Sequence, residues 1–190
     1  MKTPMTESTT TTTTTTALNY GDLNDTQRDK LLRYISENPG IRYRELLRLS
    51  SFTNGVLAYH LALLEKSDRI QVDRNENKKM TRYYPNNIPI TESNIIGHIR
   101  QDATRQIISF ILENDLCTFD EIVVHTKKAA STISWHLKRL KEAGIISVQH
   151  GHYHLYHVTD REMVAEVLHK YKQSFIDKVV DRYTETIEEL

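Results

Sequence analysis

The chain has 190 residues with 25 Lys and Arg against 25 Asp and Glu, and 38% hydrophobic side chains, a composition ordinary for a globular protein with room for one medium domain or two small ones. Cys117 is the only cysteine, which excludes a disulfide framework or a cysteine-built zinc site within the chain and makes a reducing cytoplasm the expected setting. No apolar run approaches the roughly 18 residues of a membrane helix, and the start lacks the apolar centre of a signal peptide, so neither membrane insertion nor export is expected.

Residues 1–21, with the unbroken run Thr9 to Thr16, hold too little apolar surface to offset the entropy of ordering and read as a disordered arm. From Asp25 a helical period begins with Leu31, Leu32 and Ile35, and Asn38-Pro39-Gly40 stops it. A second helix is predicted near Tyr43 to Leu49 and a third through Val56, Leu57, Leu61 and Leu64. Ile70-Gln71-Val72 and Thr81 to Tyr84 then read as two strands around the polar turn Asp73 to Lys79, and Pro85 closes a first domain over 22–90. Residues 91–104, with Ile95, Ile96, Ile99 and Ala103, form a helical connector running into the next helix.

The same order then recurs without a gap at an offset of 76 residues, placing His60-Leu61 on His136-Leu137, Glu45 on Glu121, Ile70 on Ile146 and Tyr59 on Trp135. In this second copy, over 105–159, Thr118 and Glu121 make a capping box for a short helix, and a longer helix starts near Ala130 or Ser131 after the turn Thr126-Lys127-Lys128. Helical spacing sends Ile133, Leu137 and Leu140 inward and leaves Ser131, Thr132, Ser134, Trp135 and Lys138 outward. Gly144 caps that helix, Ile145 to Val148 leads into a strand, and Gly151 sits at a hairpin turn. Two short helices across a tight turn, followed by a hairpin, are a winged helix-turn-helix. The expected fold is therefore mainly α with small β-hairpin wings: two winged helix-turn-helix domains in tandem plus a long C-terminal helix over 160–190.

The run Ser131 to Ile146 resembles the recognition helix and first wing strand of ArsR/MarR-type winged-helix regulators. Asn54 to Leu61, with Arg82-Tyr83-Tyr84-Pro85 beyond it, is similar to the opening half of tandem winged-helix regulators of archaeal type. The likeness covers about residues 25–160 and implies promoter DNA as the ligand; its one departure is Asp68 at the place of the capping glycine.

On this basis Lys127, Lys128 and Lys138 are expected to reach phosphates and Ser131, Thr132 and Ser134 to approach base edges. Copy one offers Asn54 and Tyr59 on its helix and Arg74, Lys78, Lys79 and Arg82 on its wing, a phosphate grip more than a base reader. Tyr59 and Trp135 either contact sugar and thymine methyl or pack on a wing or neighbouring domain. His60 and His136 read as partly buried hydrogen-bonding side chains. The four imidazoles of His150, His152, His154 and His157 are open to metal binding, pH-sensitive DNA contact or plain exposure; His150 and His152 are kept as DNA-contact candidates, and no metal or cofactor is assigned.

Basic and acidic residues number 12 and 9 over 22–90, 7 and 7 over 91–159, and 5 and 8 over 160–190. Such a balance predicts modest electrostatic affinity per chain and favours two chains acting together. The C-terminal stripe of Val164, Leu168, Tyr171, Phe175, Val179 and Ile187 is the expected homodimer seam. No phosphate loop, nucleophile elbow or acidic metal cluster points to an enzyme. The expected function is sequence-specific binding of double-stranded DNA in transcription regulation; the alternative is a winged-helix protein-interaction module of a transcription or chromatin complex.

Overall fold

A computed structural model describes residues 20–74 and 81–172. Helix α1 (Tyr20–Glu37), strand β1 (Ile41–Arg42), α2 (Tyr43–Ser50), α3 (Asn54–Lys66), β2 (Ile70–Arg74) and β3 (Thr81–Pro85) form the first unit. After α4 (Ile90–Ile99), the order repeats as α5 (Asp102–Asn114), β4 (Cys117–Thr118), α6 (Phe119–Thr126), α7 (Ala130–Glu142), β5 (Ile146–His150) and β6 (His154–Val158), with α8 (Arg161–Lys170) behind. Each unit carries one antiparallel sheet, ordered β1-β3-β2 and β4-β6-β5. The repeat in the sequence is thus a repeat of fold, mainly helical with small sheets. Most of the expected arm, the wing residues Lys78 and Lys79, and the seam residues Phe175, Val179 and Ile187 lie outside the described residues.

Local chemistry sets the same punctuation in both units. At the start of α2 the Arg42 N–H donates to the Glu45 carboxylate at 3.1 Å; at the start of α6 the Thr118 N–H donates to Glu121 at 2.7 Å while Thr118 Oγ1 accepts from the Glu121 N–H. Both helices end on a left-handed residue, Ser51 (φ 56°) and Lys127 (φ 53°), which turns the chain into the longer second helix. That helix ends in turn ahead of Asp68 (φ 54°) in one copy and Gly144 (φ 70°) in the other, so the aspartate keeps the backbone geometry of the glycine it replaces in the repeat.

Leu31, Ile35, Ile41, Leu46, Leu57, Leu61, Leu64, Ile70 and Tyr83 form the first core. Val56, counted with that helix's apolar series, is instead exposed. The second core joins Ile107, Ile108, Ile111, Ile122, Ile133 and Leu140 to Ile95, Ile96 and Ile99 of α4, and it also takes Tyr84 and Ile88. Strand β3 is the middle strand of its sheet and is buried on both faces, Tyr83 in one core and Tyr84 in the other. The first wing is therefore a wall shared by the two units. Gly97 lets α4 approach that wall closely, since a Cβ there would stand 3.0 Å from the Tyr84 hydroxyl.

Three expectations change. The connector does not run into the following helix: α4 stops at Ile99, the chain is extended at Gln101, and Arg105 closes the break by donating to the Ile99 carbonyl and to Asp102. Arg82 is no phosphate grip; it is 6% exposed, with Nη1 donating to the Gly40 carbonyl at 2.9 Å. A basic residue on a wing is not thereby at the surface, because both faces of β3 are covered. The seam also changes: Val164 is 1% exposed within its own chain, Leu168 packs on the same core, and the Tyr171 hydroxyl donates to Glu92 of α4 at 2.6 Å. The start of the tail folds back because α4 offers it an apolar face and a carboxylate, so Val164 and Tyr171 are not free to pair with another chain.

Candidate nucleic-acid interface

The turn between α6 and α7 sets an outer surface on the second unit. Ile133, Leu137 and Leu140 are buried, which commits the opposite side of α7, with Ser131, Thr132, Ser134, Trp135 and Lys138, to solvent. Lys127 is exposed and Lys128 half-buried just ahead of the helix. The N-cap is Ala129, which has no side-chain acceptor, so the first N–H groups of α7 have no cap from it.

Trp135 is half exposed; its ring meets His136 edge-on at 4.8 Å and carries the Arg139 guanidinium at 4.7 Å. His136 lies just beneath, with Nδ1 2.9 Å from the Thr104 hydroxyl, and His60 pairs through Nε2 with Gln27 at 2.8 Å. Burial pulls the pKa of both imidazoles below the ordinary value, helped by Arg28 near His60 and by Arg139 and Lys128 near His136. Both are hydrogen-bonded buried side chains, as the repeat register suggested.

Between α7 and the second wing runs a cleft of about 330 Å³ that brings together Ser134, Lys138, Lys141, His150, His154 and Tyr156. Lys141 escaped the sequence reading, and His154, weighed there among the four wing imidazoles, was not kept as a DNA-contact candidate. Their signals were present, since Lys141 follows Lys138 by one helical turn and His154 is the register partner of His150. The rings of His150 and His154 meet edge-on at 4.8 Å, while His152 lies beside Tyr153 at the exposed tip. No three His, Cys, Asp or Glu side chains gather as a metal-holding group among the described residues.

Copy one presents a different surface. Asn54 is exposed but its Oδ1 accepts from the Tyr43 hydroxyl at 2.6 Å, pinning the start of α3. Tyr59 is exposed. Arg74 is held by Glu65 through two hydrogen bonds of 2.5 and 2.6 Å, which hold the Glu65 carboxyl below its ordinary range and neutralise the charge expected to grip phosphate. No helix among the described residues is long and apolar enough to cross a membrane.

Two helix-turn-helix units in one chain, each backed by a hairpin wing, define the class of fold: a tandem winged helix-turn-helix protein. Residues 25–96 match the family described as an N-terminal HTH domain, and residues 102–148 match the bacterial regulatory proteins of the arsR family. The chain is also similar to an uncharacterized HTH-type transcriptional regulator of Methanocaldococcus jannaschii, 26% identical over 139 residues, which are 73% of this chain and 34% of the relative. The chain thus spans about a third of that relative's length.

Proposed function

We propose that the chain binds double-stranded DNA as a transcription regulator, with α7 entering the major groove and the β5–β6 wing resting on the backbone. The exposed polar face of α7, continuous with the Lys138, Lys141 and His150 cleft, carries this reading. Ser131, Thr132 and Ser134 are short enough to meet base edges, and Lys127, Lys128, Lys138 and Lys141 flank them for phosphates. Copy one serves chiefly as a scaffold: Arg82 is inside, Arg74 is paired, and the outer face of α3 carries no arginine.

Two chains pair in this proposal, which supplies a second set of phosphate contacts and implies a roughly palindromic site. An apolar groove of about 630 Å³ between α5 and α8, lined by Phe110, Leu112, Ala165 and Leu168, supports the pairing and replaces the seam through Val164 and Tyr171.

A gel-shift titration against the DNA upstream of the chain's own gene tests the reading. Sequence-dependent binding that weakens steeply with salt is expected. Lys138→Ala with Ser134→Ala is expected to weaken specific binding much more than non-specific binding, and Lys138→Ala alone to lower the salt slope by about 1. Binding that ignores sequence, or equal loss on both kinds of DNA, would move recognition away from α7.

A further inference from the structure

Behind the recognition helix lies a polar cavity of about 310 Å³, walled by the first wing, α4 and the C-terminal half of α7. Its charged and polar lining is Asp73 and Arg82 from the wing, Asn94 and His98 from α4, and Arg139 and Glu142 from α7. These groups face one space without closing on one another. Arg82 lines the cavity, makes a single hydrogen bond among the described residues, to the Gly40 carbonyl, and stands opposite Asp73 in the strand register. Arg139 rests on the Trp135 ring, and neither arginine comes within ion-pair distance of a carboxylate among the described residues. Asp73 has no ion pair there either, and Glu142 reaches only outward to Lys138 at 3.9 Å.

Asp73 and Glu142 are exposed in this half-open cleft, whereas Arg82 is buried and feels Asp73 and Glu45 only at longer range than an ion pair, so charges of both signs line the space without closing on one another. Their separation fits a guest that brings one charge of each sign. A simple anion would meet the arginines but also face Asp73 and Glu142. The volume of about 310 Å³ lies at the small end of ligand pockets, the size for a small metabolite. Burial, followed by the nearby Arg139 and Arg82, pulls the pKa of His98 down and keeps the imidazole neutral, so it adds hydrogen bonding without charge.

We propose that this cavity binds a small zwitterion with one carboxylate and one ammonium group, the chemistry of a free α-amino acid. The carboxylate meets Arg82 and Arg139, and the ammonium group meets Asp73 and Glu142. Because Arg139 also covers Trp135, an occupant that draws the guanidinium inward uncovers the aromatic ring on the outer face of α7. The site thereby ties the first wing to the recognition helix of the second unit, across the shared wall. The junction of two units is a common ligand position.

Trp135 is the only tryptophan of the chain, so its emission reports on the cavity through the Arg139 guanidinium that rests on its ring. The full chain, without DNA, is titrated with each of the twenty proteinogenic amino acids, with inorganic phosphate and acetate as probes carrying negative charge alone. A saturable change in emission and a raised thermal midpoint are expected with at least one amino acid and with neither simple anion. Arg139→Gln and Asp73→Asn, each checked for an unchanged far-ultraviolet circular dichroism spectrum, should lose about tenfold or more in affinity by calorimetry, the effect of one charged hydrogen bond. The proposal fails if no amino acid shifts either signal, if phosphate or acetate acts equally well, or if both variants bind as the native chain does. Since no DNA is present, failure here leaves the promoter reading untouched, and the reverse also holds.

Discussion

His60 and His136 occupy one position of the repeat, and each leans on a polar side chain of its own unit's first helix, Gln27 or Thr104. In the unfolded chain both titrate near 6.5; in the fold, burial sets the pKa lower. Below about 6.5 the unfolded state therefore binds more protons, and stability falls as pH drops toward the folded pKa values. The thermal midpoint is expected to be level above neutrality and to decline as the pH falls below about 6.5, with a shallower decline in His136→Gln. A midpoint that rose on acidification would contradict the burial argument. The pairing partners were not legible in the sequence, because Thr104 and His136 are brought together only when α5 crosses α7. The inward turn of Arg82 was hidden for a similar reason: alternation along a strand tells which residues share a face, but not whether that face meets solvent.

At the scale of the element, most of the fold was legible. Amphipathic period placed α2, α3, α6 and α7, and the Thr118–Glu121 box marked the start of α6, because these signals arise from contacts within a few residues. The two-residue strands β1 and β4 were not, since each exists only as the edge partner of β3 or β6. The helix ends give a sharper test. Asp68 holds a left-handed backbone at φ 54°, where a side chain is strained, whereas Gly144 holds it at φ 70° with open space where a Cβ would stand. Asp68→Gly is expected to stabilise the chain by about 0.5–1 kcal/mol and Gly144→Ala to destabilise it by about 1–2 kcal/mol, from backbone strain alone. Urea unfolding measures both; a destabilised Asp68→Gly would mean that the aspartate side chain makes a contribution larger than its strain.

Across the whole molecule the two units share β3 and are locked by Arg100. Its side chain is almost fully buried, donating to the Pro39 carbonyl at 2.8 Å and standing 3.7 Å from the Glu45 carboxylate. Burial lowers its pKa to about 10, so the guanidinium stays charged at neutral pH. Arg100→Leu is expected to cost about 2 kcal/mol, a figure held down because Glu45 is a third exposed. Calorimetry should show one unfolding transition in the native chain and a broadened or split one in the variant. Pairing of chains is tested at Leu168, which lines the α5–α8 groove at partial burial. Leu168→Glu is expected to convert a dimer to a monomer by light scattering while leaving the circular dichroism spectrum unchanged; a dimer that persists would place the contact elsewhere.

By itself the sequence determined the repeat, the helix-turn-helix units and the outward face of α7, because each follows from periodicity, capping and turn chemistry over short distances. Only the tertiary structure decided that the first wing is an inner wall, that the tail begins by folding onto α4, and that Asp73, Arg82, His98 and Arg139 line one cavity. Those outcomes depend on which surfaces meet across the chain. No local pattern of residues records that, since burial is a property of the neighbour as much as of the residue.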